Sequence, residues 1–238
     1  MLKIAVLYPE LLGTYGDGGN ALVLAARARR RGFDVEIIET SLEDEIPDAQ
    51  ILLLGGGEDG PQRQATYGLA KKNALAKRVD DGAVLLAVCA GFQLIGSSYE
   101  VEGGIQVDGL GIIEAVTTRG TKRRVGDLLT RVGSQWMVGF ENHGGETELG
   151  LHEVPLGIME VGAGNGRVGD HSQAVDGVRR GSIFGTYAHG PVLAQNPWLA
   201  DELLSLALER ELEPLQTIAD ALHRSRLRAV GDIQGEIS

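Results

Sequence analysis

The sequence predicts an α/β fold built on a doubly wound, mostly parallel sheet. Strand-like and helix-like patterns alternate through the first hundred residues, which is typical of such sheets. The strand segments are almost continuously aliphatic, as strands covered by helices on both faces must be. The chain has 238 residues, of which 43% are hydrophobic and 35 are glycines, so it can form one large domain with many tight turns.

The elements follow in order along the chain. The first half contains predicted strands at 3–7, 35–39, 51–54 and 83–88, with predicted helices at 20–31 and 62–78. Between residues 103 and 187 the pattern changes to short β-like segments separated by glycine-rich turns, at 112–118, 125–129, 136–140 and 182–187. We expect mixed or antiparallel strands there.

After residue 196 two amphipathic helices are predicted, at 197–210 and 215–229, with a break at Pro214. We therefore expect a main domain over residues 1–200. Residues 201–238 would form a helical extension packed on that same domain.

Charge and cysteine content restrict the function and the compartment. The net charge of -11 argues against general nucleic-acid binding, because phosphate neutralisation needs a basic surface, and it favours a protein or small-molecule partner. One cysteine cannot form an internal disulfide, which favours a reducing compartment. Residues 1–7 are too short for a signal or membrane segment and suit a first strand, so we expect a cytoplasmic protein. No Cys/His spacing suggests a metal site, and none is predicted.

A group of arginines closes the first predicted helix: Arg27, Arg29, Arg30 and Arg31. Cations at this end complement the helix dipole. The sequence favours a solvated face for all four.

Cys89 is the strongest candidate for a catalytic residue. It follows the apolar strand 83–88 directly and precedes Ala90 and Gly91, which keep the turn free of bulk. A sharp strand-to-helix turn presents a nucleophile at the carboxyl end of a sheet, with backbone N–H groups aimed at an oxyanion. The alternative is that Cys89 is a small buried hydrophobic residue, as free cysteines usually are.

His189 is the natural base for that thiol. It ends the predicted strand within the segment 185–191, just before a glycine turn, so it can share a sheet edge with Cys89. An imidazole within hydrogen-bond distance activates a cysteine. Four other histidines compete for the role: His143, His152, His171 and His223. His143 is the serious rival because it also follows a strand and precedes glycines.

Two glycine-rich loops are further candidates. The strand 51–54 stops at Gly55, Gly56 and Gly57, whose backbone amides can approach a substrate without a Cβ in the way. A phosphate-binding loop is excluded, since no Gly-x-x-x-x-Gly-Lys-Ser/Thr occurs. The loop at 8–20 is interpreted either as a turn in which Asp17 or Asn20 caps a helix, or as part of an interface or substrate site.

These segments together resemble the class I (triad-type) glutamine amidotransferases, in the cobyric-acid-synthase-like branch. Within that branch they resemble the glutaminase-subunit family of the MurT/GatD-type lipid II isoglutaminyl synthases. Five separated motifs in order, within roughly residues 1–200, carry the resemblance: 8–20, 55–62, 89–93, 139–145 and 186–192. The implied fold is the flavodoxin-like three-layer sandwich, with additional mixed strands and C-terminal helices.

The resemblance implies a role for each site residue. Cys89 would attack the side-chain amide of L-glutamine and His189 would protonate the departing ammonia. Gly57 and Ala90 are assigned to the oxyanion hole, and Gly56 and Gln93 to substrate binding. The family's glutamine-binding arginine maps to Arg123 in the stretch 121–127, although Arg124 is adjacent.

Two departures from the wider class stand out. Ala87 replaces a glycine two residues before the nucleophile, which is a small change. Pro191 stands where class I enzymes usually carry the glutamate that orients the histidine. Either Glu58 or Glu141 takes that role or a partner subunit supplies the acid, and the sequence analysis favours the partner.

A partner is implied because the chain lacks an ATP-binding motif, whereas amidation of a carboxylate normally consumes ATP. We expect a heterodimer with a MurT-like Mur ligase subunit that holds ATP and Mg²⁺, reaches lipid II and amidates the α-carboxylate of D-glutamate in its stem peptide. No cofactor is expected in this chain. Two alternatives stay open: a glutaminase that feeds a different synthetase, such as one acting on a corrinoid, and a non-catalytic scaffold subunit.

Overall fold

The computed structural model of the chain describes residues 1–166 and 173–231 and confirms the α/β class. Its first half contains β1 Leu2–Leu7, α1 Gly19–Arg30, β2 Val35–Thr40, β3 Ile51–Leu54, α2 Asp59–Lys72, α3 Ala74–Asp80, β4 Val84–Val88, α4 Ala90–Ile95, β5 Ser98–Val101 and β6 Ile105–Asp108. Its second half contains β7 Ala115–Val132, β8 Gln135–Leu149, β9 Gly157–Val161, β10 Val175–Asp176, β11 Val178–Arg180, β12 Ile183–Thr186, α5 Val192–Gln195, α6 Pro197–Ala207 and α7 Ile218–Gly231.

The central sheet brings four strand ends to one edge. Its order is β11-β12-β4-β3-β1-β2, and every pair from β12 to β2 is parallel. All residues of β3, β4 and β12 are buried, because α4 and α6 both pack on the sheet around β4. The loops after β1, β3, β4 and β12 therefore meet at the carboxyl edge of the sheet.

The second sheet is built around a long hairpin. Strands β7 and β8 pair over most of their 18 and 15 residues, with a register shift between Arg119 and Arg124. The separate short strands predicted at 112–118 and 125–129 are thus one strand, because the irregularity interrupts the alternating pattern without ending the pairing. An isolated antiparallel bridge between Phe140 and His189 joins this hairpin to the end of β12.

Helix boundaries differ from the prediction at two places. The helix predicted at 62–78 is two helices, because Asn73 adopts a left-handed conformation with φ of 45° between α2 and α3. The C-terminal helices occupy 197–207 and 218–231, so the break around Pro214 is longer than expected. The division of the chain at residue 200 stays a prediction, and residues 232–238 of the predicted extension lie outside the described residues.

The interpretation of the arginine group as a solvated face is wrong for two of its members. Arg27 donates from Nε and Nη2 to the two carboxylate oxygens of Asp201, both at 2.6 Å, and its side chain is 4% exposed. Arg31 donates to Asp201 at 2.9 Å and to the carbonyl of Glu213. These contacts tie α1 to α6 and to the segment before α7. Within the part of the chain that the structure describes, no helix combines the length and apolar character needed to span a membrane.

Candidate active site

Cys89 lies in a strained turn between β4 and α4. Its backbone angles are φ 53° and ψ -106°, a conformation that a non-glycine residue adopts at a cost of about 1–3 kcal/mol. The turn is held by hydrogen bonds from Cys89 N to the Thr186 carbonyl and from Gly91 N to the Gly55 carbonyl. A Cβ on Gly91 would lie 2.7 Å from Leu54 Cβ, so the first turn of α4 can pack this closely on β3 only with glycine at position 91. The geometry is that of a nucleophile elbow.

His189 lies beside Cys89 and is oriented by Asp17. Nδ1 of His189 is 3.0 Å from Oδ2 of Asp17, and the two side chains are 2% and 1% exposed. The His189 backbone is fixed on its other side by two hydrogen bonds with Phe140. Because Nδ1 contacts Asp17, Nε2 is the ring nitrogen of His189 that is available to the Cys89 thiol.

The surroundings of His189 favour its protonated form. Burial by itself would lower the pKa of His189, but the hydrogen bond to Asp17 and the nearby Cys89 and Asp17 groups outweigh it and raise this pKa well above 6.5. An imidazolium next to the sulfur stabilises negative charge on Cys89 and holds a proton for a leaving group.

Sequence analysis favoured a partner subunit as the source of the third acid, and in this chain the carboxylate that contacts Nδ1 of His189 is that of Asp17. A contribution from a partner stays a prediction. Glu58 and Glu141 do not take this role. Glu58 accepts from the Tyr15 hydroxyl, and Glu141 accepts from the backbone of Ala163 and Gly164. The helix-cap interpretation of Asp17 is also wrong, since α1 has no side-chain cap.

Gly56 supports the side chain of Asp17. Its N–H donates to Oδ2 of Asp17 at 2.9 Å. A Cβ at Gly56 would lie 2.7 Å from Cε1 of His189 and 2.8 Å from Cδ2 of Tyr15. Gly56 is therefore a close-contact position beneath His189, and its assignment to substrate binding stays a prediction.

The predicted oxyanion-hole residues flank the thiol. Gly57 and Cys89 line the same open pocket, which has a volume of about 260 Å³. Ala90 is the first residue of α4, where backbone N–H groups have no partner in their own helix. Within the described residues, neither Gly57 N nor Ala90 N donates a hydrogen bond. Their role as oxyanion donors stays a prediction that this arrangement permits.

Gln93 lines the pocket, but its amide is engaged inside the protein. Its Oε1 accepts from Gln62 Nε2 at 3.0 Å, and its Nε2 donates to the Tyr187 hydroxyl at 3.2 Å. Gln62 also donates to the carbonyl of Ala90. Gln93 thus anchors α4 to the segment that follows β12, and its contact with substrate stays a prediction.

Arg123 is the arginine that reaches the pocket. It donates from Nε to Oδ1 of Asn142 at 2.7 Å and from Nη2 to the Tyr15 hydroxyl at 2.9 Å. Arg124 points the other way and pairs with Glu146 at 3.1 Å. The geometry therefore favours Arg123 over Arg124 as the glutamine ligand.

The rival histidines do not replace His189. His143 is buried, stacked on Tyr187 with ring centroids 3.8 Å apart, and has Nδ1 at 3.0 Å from the Gly145 carbonyl. His223 contacts the carbonyl of Gln195 on the C-terminal side, and His152 is exposed. His171 lies outside the described residues.

Sequence analysis missed three features of the site: the contact of Asp17 with His189, the packing of the Tyr15 ring against His189 and the contact of Asn142 with Arg123. The sequence did contain a signal for the positions of Asp17 and Tyr15. Polar residues between glycines follow the first parallel strand, so their loop had to lie at the same sheet edge as Cys89.

Solved structures share this fold. A crystal structure of a glutamine amidotransferase matches 86% of this chain and 98% of its own length with a TM-score of 0.58, at 21% sequence identity. Fold and site together define the class I glutamine amidotransferase type, in which a thiol and an imidazole meet at the carboxyl edge of a parallel sheet.

The chain belongs to the CobB/CobQ-like glutamine amidotransferase domain family, whose family model matches residues 3–197. Two curated relatives are named lipid II isoglutaminyl synthase (glutamine-hydrolyzing) subunit GatD. The protein from Streptococcus pneumoniae is 36% identical over 216 residues, which cover 88% of this chain and 82% of the relative. The protein from Staphylococcus aureus is 35% identical over 220 residues, which cover 90% of this chain and 88% of the relative. The family resemblance inferred from the motifs is confirmed.

Proposed function

We propose that this protein is a glutaminase subunit that hydrolyses L-glutamine and delivers the ammonia to a ligase that amidates lipid II. The observation that carries the proposal is the alignment of Cys89, His189 and Asp17 at the carboxyl edge of the sheet. Nucleophile, acid–base group and orienting carboxylate are the parts that amide hydrolysis through a thioester requires.

In the first half-reaction, the Cys89 thiolate attacks Cδ of the glutamine side chain. The carbonyl oxygen becomes an oxyanion that the N–H groups of Gly57 and Ala90 stabilise. His189 then donates its proton to the amide nitrogen, the C–N bond breaks, and ammonia leaves. Asp17 holds the imidazole so that Nε2 faces the reacting atoms and stabilises its positive charge.

In the second half-reaction, water attacks the γ-glutamyl thioester. His189, now neutral, accepts a proton from this water, the C–S bond breaks and glutamate leaves with the thiolate restored. The pocket is open to solvent, so water can reach the thioester once ammonia has left.

The use of the ammonia is proposed from the relatives. Both GatD subunits cover most of this chain, and their name specifies a glutamine-hydrolysing lipid II isoglutaminyl synthase. We propose that the acceptor is the α-carboxylate of D-glutamate in the lipid II stem peptide. A MurT-like subunit would form the heterodimer, bind ATP and Mg²⁺ and activate that carboxylate.

The test is glutamate release from glutamine by the purified chain, alone and coexpressed with the Mur-ligase-like subunit of the same organism. We expect release that needs Cys89 and rises with the partner, with Cys89→Ala as the inactive control. Absence of Cys89-dependent release in the complex would contradict the enzymatic proposal and favour the scaffold alternative.

A second assay separates ammonia delivery from acceptor identity. The complex that contains Cys89→Ala should amidate lipid II only when ammonium chloride replaces glutamine. Active glutamine hydrolysis without lipid II amidation from either nitrogen source would favour a different synthetase.

A further inference from the structure

His143 is buried in the wall of the active-site pocket, and the chemistry of glutamine hydrolysis leaves it without a role. It lines the same pocket as Cys89, and its side chain is 1% exposed. Nδ1 of His143 lies 3.0 Å from the carbonyl oxygen of Gly145, and Nε2 lies 3.5 Å from Oε2 of Glu141. Both ring nitrogens therefore face an acceptor oxygen.

Neither of these oxygens supplies a proton to the ring. A peptide carbonyl only accepts hydrogen bonds, and an ionised carboxylate does the same. Burial by itself would raise the pKa of Glu141, but the contact with His143 and the backbone N–H groups of Gly164 and Ala163 outweigh burial and lower it. A neutral imidazole donates from one nitrogen only, so its other nitrogen would direct a lone pair at an oxygen. An imidazolium has a donor for each.

We propose that His143 is a buried imidazolium, paired with Glu141, that fixes the ring of Tyr187 and thereby positions the helix α4, which begins at the nucleophile turn. His143 is thus a positioning residue that acts through Tyr187. Its charge is inferred from the geometry of its contacts alone, whereas its effect on catalysis rests on the proposed glutaminase function.

The Tyr187 ring provides a further favourable contact for this charge. The rings of His143 and Tyr187 are nearly parallel, with an interplanar angle of 18° and centroids 3.8 Å apart. Two neutral aromatic rings prefer offset or edge-to-face arrangements, whereas a cation is attracted to the face of a tyrosine ring. A positive charge on His143 therefore stabilises the stacking that is observed.

Tyr187 connects the stacked rings to the nucleophile helix. Its hydroxyl accepts from Nε2 of Gln93 at 3.2 Å, and its ring meets the Phe92 ring edge-on, with centroids 5.4 Å apart. Gln93 and Phe92 both belong to α4, whose N-cap residue is Cys89. A displaced Tyr187 ring would therefore change the position of Cys89 relative to His189.

The charges packed around His143 favour a cation at this position. Glu141 lies on the same strand, and the buried Asp176 comes from β10. Burial raises the pKa of Asp176 to about 6, and a positive charge on His143 acts in the opposite direction. Arg124, the cross-strand neighbour of His143 on β7, is paired with Glu146 at 3.1 Å. Two acids and a neutralised arginine thus surround the ring.

The remaining charges of the site are either paired or screened. His189, two residues after Tyr187, has its own carboxylate partner in Asp17. Six further charged side chains line the pocket and are partly or fully exposed, so solvent screens them: Glu58, Asp59, Glu100, Arg119, Lys122 and Arg123.

NMR of the histidine rings in the purified chain, labelled with ¹⁵N, tests the charge of His143. At pH 7.5 we expect both ring nitrogens of His143 to carry a proton, with its signals assigned by comparison with single histidine variants. Glu141→Gln removes the charge that the second ring proton faces and should leave one nitrogen bare. A bare nitrogen on His143 in the wild-type chain would overturn the proposal.

Kinetics of the complex with its partner test the positioning role. His143→Gln should lower kcat for glutamine hydrolysis by about tenfold to a hundredfold, because a small displacement of Cys89 costs that much, and should change KM less than about threefold. His152→Gln is the matched control, since His152 is exposed and should be replaceable without effect.

Tyr187→Phe separates the two parts of the contact. It keeps the ring that stacks on His143 but removes the hydroxyl that holds Gln93. We expect His143 to keep both ring protons in this variant while kcat falls by about tenfold. A kcat equal to that of wild type would break the link between Tyr187 and α4 and overturn the positioning role.

The outcomes distinguish this inference from the proposed function. Unchanged kcat in a folded His143→Gln complex overturns the positioning role while glutamine hydrolysis stands. If His143→Gln does not fold, the wild-type NMR spectrum and the kcat of Tyr187→Phe decide instead. Absence of glutamine hydrolysis by the wild-type complex would overturn the proposed function and the positioning role together, and the NMR measurement would still decide the charge of His143.

Discussion

Oδ2 of Asp17 lies 3.0 Å from Nδ1 of His189, although 172 positions separate the two residues in the chain. The contact forms because β1 and β12 are parallel strands of one sheet and both end at the same edge. It gives His189 a carboxylate neighbour from the first loop of the fold, whereas sequence analysis had favoured a carboxylate from a partner subunit.

Replacing Asp17 tests this arrangement directly. Asp17→Asn should lower kcat for glutamine hydrolysis about a hundredfold or more, because the imidazole loses both its orientation and the stabilisation of its positive charge. Asp48→Asn, at a side chain that is 85% exposed, is the control. Full activity of Asp17→Asn in the complex would show that another acid orients His189.

The pH dependence of stability should change in the same variant. Asp17 helps to raise the pKa of His189 from 6.5 to about 10, so the contribution of protonated His189 to stability is fully present below pH 6.5 and is lost as the pH rises through about 10. The stability difference between wild type and Asp17→Asn should therefore shrink over that window. Denaturant unfolding at several pH values measures it, and a difference that is constant with pH would contradict the assignment.

Gly56 should tolerate no side chain. Gly56→Ala places a Cβ within 2.7 Å of His189 and 2.8 Å of Tyr15, which displaces the imidazole from Asp17 or from Cys89. We expect a loss of glutaminase activity of at least about a hundredfold, since small displacements of reacting groups cost that much. Gly60→Ala, four residues later, meets no atom within 4 Å and should leave activity unchanged. Equal rates in the two variants would be inconsistent with the close contact.

The backbone strain at Cys89 should be measurable as a stability difference between two variants that both lack the thiol. Cys89→Gly and Cys89→Ala both delete the thiol, but only glycine adopts φ of 53° and ψ of -106° without strain. Cys89→Gly should have a free energy of unfolding about 1 kcal/mol higher than Cys89→Ala, after the greater backbone entropy of unfolded glycine is subtracted. Chemical denaturation of the two variants provides the comparison, and a more stable Cys89→Ala would count against strain at this turn.

The ion pair between Arg27 and Asp201 should contribute to folding. Arg27→Ala removes the bidentate partner of Asp201 but leaves its ion pair with Arg31, and we expect a loss of about 2 kcal/mol in the free energy of unfolding. Arg30→Ala, in the same helix at an exposed position, should change stability by less than about 0.5 kcal/mol. Thermal and urea unfolding would measure both, and equal stabilities would mean that Arg27 behaves as a solvated residue.

Asp176 should destabilise the fold at neutral pH. Complete burial raises the pKa of Asp176 from 3.8 to about 6, although Thr186 and the Tyr187 backbone donate to it. The ionised form of Asp176 is therefore disfavoured in the folded state. The resulting loss of folding stability is present above pH 6 and disappears as the pH falls through 6 towards 3.8. Asp176→Asn should gain stability over wild type at pH 7–8, and this advantage should vanish near pH 4.

A free-energy difference between wild type and Asp176→Asn that does not vary between pH 4 and pH 8 would contradict the raised pKa. Urea unfolding of both proteins across that range is the measurement.

The sequence by itself determined the features that depend on local pattern. Continuous aliphatic runs identified the parallel strands, and small residues after the run at 83–88 marked the turn that carries Cys89. The glycine turn after β12 similarly identified His189. These signals are strong because a strand buried on both faces and a sharp turn at its end each restrict the residue types over a few consecutive positions.

Tertiary structure alone decided the partners of those residues. Asp17 contacts His189, Tyr15 joins Arg123 to Glu58, and Gln93 binds Tyr187, and each pair comes from segments that no local pattern connects. The long β7–β8 pairing was missed for the same reason, since its irregular register hides the alternation. Parallel strands bring distant loops to one edge, and which side chains then meet depends on the loop conformations and on the close approach that Gly56 permits.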